Sequence, residues 1–224
     1  MKIIAMVPAR LGSQRLKQKN LQIFQGNSLI AHAIKKIKQT EVFDEIWVNT
    51  ESELIGKVAE EENVFFHKRP NKLADDDATS EDFIYEFLKN HDCDFIVQIH
   101  SIAPLLTQKE IIDFTKELAL NKSDILLGVE KIQIECVYEN KPINFNFSSK
   151  TNSQDLKPIN RISWSISAWR KSNFITNYEL GKCATYCGSV NYYELNQFSS
   201  HVIKTKRDLD IANALYNISS NENH

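Results

Sequence analysis

No apolar run in the sequence approaches the roughly 18 residues of a membrane-spanning helix. The opening residues, MKIIAMVP, are too short and wrongly followed for a secretory signal. Cysteine is scarce. Cys93, Cys136, Cys183 and Cys187 are all there is, and three residues separate the last two, with no second pair and no histidines at zinc spacing. A zinc site is therefore disfavoured, and the thiols read as buried or idle. Reduced cysteines without an export signal predict a cytoplasmic protein with no membrane association. Neither charge is in excess: 27 Lys and Arg face 29 Asp and Glu, a net charge of −2, which argues against a dedicated nucleic-acid binder. Two glycine-rich fingerprints are also missing. Without Gly-x-Gly-x-x-Gly a dinucleotide dehydrogenase is weakened, and without Gly-Lys-Ser/Thr a P-loop ATPase is weakened. There is no internal repeat.

What is present is an ordinary globular composition, 42% hydrophobic and 25% charged, over 224 residues. That length suits a single domain, 1–224, that needs no staples. Residues 2–7 form a continuous apolar run, suited to a strand covered on both faces. Ser28 is placed to cap a helix whose Leu29, Ile30, Ala33, Ile34 and Ile37 share a face, with Lys35, Lys36 and Lys38 near its carboxyl end. The pattern then repeats, with strands at 45–49, 64–67, 94–100 and 124–130 and helices at 51–62, 79–89 (Thr79 its cap) and 108–119. Short apolar strands alternating with amphipathic helices predict an α/β, mostly parallel sheet whose ligands bind at the carboxyl ends of the strands. Residues 132–160 are polar and aperiodic and read as an inserted hairpin or arm. In RISWSISAW, 161–169, strict alternation puts Ile162, Trp164, Ile166 and Ala168 on one face and Ser163, Ser165 and Ser167 on the other. A last helix is expected over 208–217, and the tail SSNENH is expected to fray.

Three stretches carry chemistry. The loop after the first strand, VPARLGSQRLKQKN (7–20), holds Arg10, Arg15, Lys17 and Lys19 around a bend that Gly12 and Ser13 permit. Exposed backbone N–H groups and nearby cations cradle phosphate oxygens, and an arginine fork binds a phosphate bidentately. Charge alone favours a solvated basic loop. The second stretch is KRPNKLADDDATS (68–80), a cation at a turn followed by a cappable helix start. The third, KRDLDIANALYN (206–217), has Asp208 and Asp210 one residue apart. They suit a hard cation that bridges phosphates, or acidic capping at a helix N-terminus.

PARLGSQRLKQKN resembles, at Ala9, Arg10, Ser13, Lys19 and Asn20, the signature of the cytidylyltransferases that activate acidic sugars: CMP-sialic acid synthetases and their relatives for 3-deoxy-manno-octulosonate, legionaminate and pseudaminate. The resemblance extends to Arg69, Ala78 and Ser80, which in that family read the cytosine, and to Asp208 and Asp210, which would hold Mg²⁺ or Mn²⁺. It implies a Rossmann-like three-layer fold of the nucleotide-diphospho-sugar transferase type, with the 132–160 arm making a homodimer. It also implies transfer of CMP from CTP to an acidic sugar with release of pyrophosphate. Arg10, Arg15 and Lys19 would neutralise the triphosphate.

The chain departs from the family's pattern at several points. Gln14 stands where lysine is frequent, with Arg15 next to it as a compensating charge. IHSIAPL (99–105) puts His100 at a glutamine position facing ribose or sugar, and Ile102 where the octulosonate enzymes carry a metal-binding aspartate. A structural histidine fits His100 as well. The arginine that holds the sugar carboxylate has no clear counterpart, and Arg161 is the nearest cation. Rival readings are a sugar-1-phosphate nucleotidyltransferase, a glycosyltransferase with an Asp-x-Asp metal site, and a catalytically altered nucleotide-binding module.

Overall fold

A computed structural model describes residues 1–120 and 123–221, with side chains through residue 218. Seven strands form the central sheet: β1 (Ile3–Pro8), β2 (Glu45–Thr50), β3 (Phe65–Lys68), β4 (Phe95–Ile99), β5 (Ile125–Ile132), β6 (Ile159–Arg170) and β7 (Val190–Glu194). Their order across the sheet is β7-β5-β6-β4-β1-β2-β3. Every pairing is parallel except the two made by β6, which runs antiparallel to β4 and β5.

Helices cover both faces. On one lie α1 (Leu29–Lys38), α2 (Glu53–Glu61) and α4 (Gln108–Leu120); on the other lie α3 (Ser80–Asn90) and α5 (Lys171–Glu179). The first strand shows why its sequence is apolar throughout. Ile3, Ala5 and Val7 enter the core under α1, α2 and α4, while Ile4 and Met6 enter the core under α3 and α5. A third cluster seats α6 (Lys206–Asn221) through Leu209 and Ala212 against Phe24, Leu29, Leu105 and Ile203. Three helix starts carry local caps. The Ser28 hydroxyl accepts from Ala31 N, the Ser52 hydroxyl from Ile55 N, and Thr79 with Asp82 forms a reciprocal capping box.

Elements missing from the sequence expectation are α5 and β7. The first buries only Phe174 and has no side-chain cap; the second is a half-exposed edge strand without clean alternation. The last helix is longer than 208–217 at both ends, and the final three residues of the tail expected to fray lie outside those described. The four cysteines are free thiols, and Cys93 is buried.

The serine-rich strand corrects the strict alternation. Ile162 and Trp164 pack into the core under α3 and α5, whereas Ile166 and Ala168 pack into the opposite one. The cause is a register shift between Ile162 and Ser167, with Trp164 in the left-handed region at φ 60°. One bulged residue flips the faces of everything after it. Ser163, Ser165 and Ser167 are all buried, because helices cover both sides of this strand.

Between β5 and β6 the chain leaves the sheet. A hairpin pairs Val137–Tyr138 with Lys141–Pro142 across Glu139 and Asn140, both at positive φ as a two-residue I′-type turn requires. Ile134, Val137, Tyr138, Ile143 and Phe147 are exposed along this arm.

Candidate active site

The chain leaves β1 towards β2 on one side and β4 towards β5 on the other, so a crevice opens between the carboxyl ends of β1 and β4. Ligands bind at such switch points in open α/β sheets. A pocket of about 710 Å³ lies there. Of the residues singled out from sequence, it gathers Ala9, Arg10, Ser13, Arg15, Lys19, Asn20, Arg69, Ala78 and His100. Gly12 lines a smaller adjoining groove with Arg10, Ser13 and Gln14, and Ser80 is exposed as the first residue of α3. Lys17 is exposed and does not line the pocket.

The loop's shape is built by side-chain to backbone bonds. Asn20 Nδ2 donates to Arg10 O at 2.9 Å, and its Oδ1 accepts from Ser101 Oγ at 2.8 Å, which ties the opening loop to the loop after β4. Ala9 N donates to Asn49 O, so the chain continues β-like pairing with β2 for one residue past β1. Arg69 is 3% exposed. Its Nη2 donates to Ala9 O and to Glu51 Oε2, both at 3.2 Å, and its guanidinium carbon lies 4.8 Å from the centre of the Phe83 ring. Arg69 Nε is buried at the pocket without a partner, as are Gln98 Oε1 and Asn49 Oδ1 at the strand ends. Buried polar groups left open this way are costly unless something completes them.

Arg10 is engaged from across the pocket. Its Nη1 donates to Ala74 O (3.2 Å), Asp75 O (3.0 Å) and Asp76 Oδ1 (3.0 Å), and Gln14 Nε2 donates to Asp76 Oδ2. Asp76 therefore sits against Arg10 and Gln14 as an anionic oxygen pair would. Burial lowers the Lys19 pKa, and the charges of Arg15, Arg10 and Lys204 push it the same way, against Asp208. Positive charge gathered in this way suits a polyanionic ligand.

His100 is neutral. Burial, with the charge of Lys19, pushes it down to about 4. Gln98 Nε2 lies 2.6 Å from His100 Nε2, so the lone pair that would take a proton already accepts a hydrogen bond. His100 N donates to Ser165 O, directly after the Trp164 bulge.

Asp208 and Asp210 do not line the pocket. Asp208 Oδ2 accepts from Lys204 N, Thr205 N and Thr205 Oγ1 at the start of α6. Burial raises its pKa, but these bonds outweigh that and the net shift is downward. Asp210 is exposed and pairs with Lys206 at 3.0 Å. Residues i and i+2 point about 200° apart around a helix, so the two carboxylates diverge. Among the described residues no group of three His, Cys, Asp or Glu side chains is arranged to hold a metal ion. Asp208, beside Lys19, fits a single carboxylate contribution to a phosphate-borne cation; Asp210 does not. Arg161 also departs from its expected place. It is exposed on β6 outside the pocket and ion-paired with Glu130 of β5.

Glu51, Phe83, Asp76 and Gln98 belong to the site and were not foreseen. Glu51 had a positional signal, an acid directly past the carboxyl end of β2, and its other oxygen accepts from Leu11 N at 2.8 Å. Among the described residues no helix is long and apolar enough to cross a membrane.

The chain matches the family described as Cytidylyltransferase over residues 4–221. It is 35% identical over 116 residues to the N-acylneuraminate cytidylyltransferase of Escherichia coli O18:K1:H7, covering 51% of this chain and 28% of that protein. It is 28% identical over 162 residues to N-acylneuraminate cytidylyltransferase A of Danio rerio, covering 68% and 38%. The match to the 3-deoxy-manno-octulosonate cytidylyltransferase of Rickettsia bellii (strain OSU 85-389) is 28% identical, covering 66% and 60%. The chain thus matches less than two-fifths of the length of the first two relatives. In fold it is similar to a CMP:2-keto-3-deoxy-manno-octonic acid synthetase complexed with CTP, with a TM-score of 0.77 at 16% identity over 98% of this chain and 100% of that one. It also resembles the 4-diphosphocytidyl-2C-methyl-D-erythritol synthase of Anaerococcus prevotii (TM-score 0.71, 15% identity, 96% and 98% covered). With a match over residues 4–221, on a fold and a pocket of the expected kind, the chain belongs to the cytidylyltransferase family.

Proposed function

We propose that this chain transfers CMP from CTP to an acidic sugar, releasing pyrophosphate, in the cytoplasm and for cell-surface glycan synthesis. The observation that carries the reading is the cation-rich pocket at the β1/β4 switch point, with Arg10, Arg15 and Lys19 on one wall and Arg69 on another. Arg69, which lines the pocket, and the backbone near Ala78 meet the cytosine acceptors. The sugar hydroxyl, giving up its proton to solvent, forms the new bond to the α-phosphorus as the bond to the pyrophosphate breaks. Arg10, Arg15 and Lys19 stabilise the charge that grows on the leaving oxygens. Rigid loops supply positioning, the other large contribution to such a transfer. His100 orients the sugar side as a neutral hydrogen-bonding group and is not the base. Asp208 would hold Mg²⁺ or Mn²⁺ together with the triphosphate, and such an ion would supply charge neutralisation at the phosphates.

The sialic, legionaminic and pseudaminic type of nonulosonic acid is favoured over octulosonate, because Ile102 brings no carboxylate to the pocket. The arm's exposed Ile134, Val137, Tyr138, Ile143 and Phe147 support a homodimer in which the arm completes the sugar end of a second copy. The test is pyrophosphate release from CTP and Mg²⁺ with a panel of nonulosonic and octulosonic acids. Release is expected with a nonulosonic acid. Tight CTP binding with no release for any sugar would overturn catalysis and favour an altered binding module. Sedimentation at micromolar concentration is expected to give a dimer, and a monomer would remove the arm's role.

A further inference from the structure

A second pocket, of about 790 Å³, lies behind the loop that carries His100 and Ile102. No step of the CMP transfer uses it. Four stretches meet there: α1 with His32, Lys35 and Lys36; the segment 104–109 entering α4; the loop carrying Asn196 and Phe198; and α6 with Leu215 and Tyr216. Leu105, Phe198 and Leu215 give it an apolar surface, and Tyr216 lies edge-on to His32.

Its cations lack a counter-ion inside the pocket. Lys36 Nζ donates to the neutral Pro104 carbonyl. Burial pushes Lys36 down to about 7, against the charge of Glu110. Glu110 is itself spent on other partners: Oε1 accepts from Asn196 N and Nδ2, and Oε2 from Thr107 N, Thr107 Oγ1 and Ser199 Oγ. His32 Nε2 is buried and makes no hydrogen bond of good geometry, and burial together with Lys36 holds the ring neutral, at about 4, against the pull of the nearby Pro104 carbonyl. At the rim, Lys35 pairs outward with Asn27 and Glu62, and Lys109 with Asp113. An amine and an imidazole nitrogen, with two lysines at the rim, thus border a space beside apolar and aromatic side chains. An oxyanion would neutralise the desolvated amine, whose charge is costly while unpaired. Charge-assisted bonds of this kind are the strong ones.

We propose that this pocket binds a small organic oxyanion, one phosphate or carboxylate group on an apolar or aromatic body, with the anion on Lys36 and His32 and the body against Leu105, Phe198 and Tyr216. The probes are phenyl phosphate, benzoate and inorganic phosphate, titrated calorimetrically into the full chain. At least one of the two organic probes is expected to bind more tightly than inorganic phosphate. Lys36→Met, which keeps volume and removes charge, is expected to weaken that binding at least about tenfold, the scale of one charged hydrogen bond. Arg10→Ala, which strips the nucleotide pocket, is expected to leave it unchanged. Whether the phosphate or the carboxylate binds better identifies the anion, and loss on Lys36→Met upholds the site in either case. If Lys36→Met does not fold, Lys35→Ala combined with Lys109→Ala tests the same site from its solvent side and is expected to weaken binding. Binding by neither organic probe, or binding no tighter than inorganic phosphate, overturns the proposal. So does binding lost in Arg10→Ala but kept in the lysine variants.

Discussion

On the Arg10 side of the nucleotide pocket each loop is braced by another. Glu51 holds both Leu11 N and Arg69, Arg69 holds Ala9 O, Asn20 holds Arg10 O, and Arg10 holds the carbonyls of residues 74 and 75. On the His100 side there is a neutral imidazole, an isoleucine, and no cation from β6, because Arg161 is committed to Glu130. The first half is complete within one chain and suits a ligand of fixed chemistry, a cytidine triphosphate. The second half is left open, and that is where a variable sugar and a second subunit would enter. On the proposed reading, the constant substrate would be recognised by the scaffold and the variable one by an appendage.

The largest expected effect tests the braced half directly. Arg10→Ala should lower turnover at least ~10²-fold, the scale of losing one transition-state charge contact. Steady-state pyrophosphate release measures it, and wild-type turnover would dismantle the contrast. Next comes Glu51→Ala, which leaves Arg69 buried without its carboxylate. We expect a loss of about 2 kcal/mol in urea unfolding, below the full cost of a severed buried pair because Glu51 is 16% exposed. KM for CTP should rise as the Ala9–Leu11 segment loosens.

Acid should weaken the whole fold. His32, His91 and His100 are each held at about 4, chiefly by burial, below the ordinary 6.5. Between those values the unfolded chain binds protons that the folded chain refuses. Stability is therefore full above about pH 6.5 and lost as pH falls towards 4. Unchanged thermal midpoints from pH 7 to 5 would contradict this. A finer contrast concerns the two carboxylates of α6. Asp208→Asn should shift the Mg²⁺ midpoint for activity several-fold, on the scale of one lost charge contact, and Asp210→Asn should leave it in place. Equal shifts would mean that α6 unwinds at its start when substrate binds. The smallest effect is expected at Asp76. Its carboxylate competes with the triphosphate for Arg10 but is 58% exposed, so Asp76→Ala should tighten CTP binding only about threefold. Weaker binding would show that Asp76 helps the nucleotide instead.

The parallel sheet was legible because each of its strands β1 to β5 carries an apolar run between capped helices, a local signal. The pocket was legible through Arg10, Lys19 and Asn20, which all lie on the one loop that follows β1. What stayed hidden depends on distant partners. Glu51 acquires its role only when β2 lies beside β1, and Asp76 only when residues 74–76 cross to Arg10. Asp208 and Asp210 suggested a shared ion because they are one residue apart in sequence, although on the helix expected there that spacing turns the two carboxylates about 200° apart. In α6 the helix separates them. Alternation along β6 misled for a related reason, since a bulge is invisible to a period-two pattern.

That bulge also ranks the chain's tolerance to changes in length. Between β5 and β6 the arm joins two strands that are already paired antiparallel, so adding or removing residues there alters chiefly the entropy of a closed loop, which grows only slowly with size. At Trp164 a single deleted residue would exchange the two faces of half of β6. Ser165 and Ser167 would be driven to where Ile166 and Ala168 now pack, and His100 N would lose Ser165 O. Over evolutionary time, insertions and deletions should therefore accumulate in 133–158, while the length of 162–167 is held fixed, although both lie on one continuous path out of the same sheet and back.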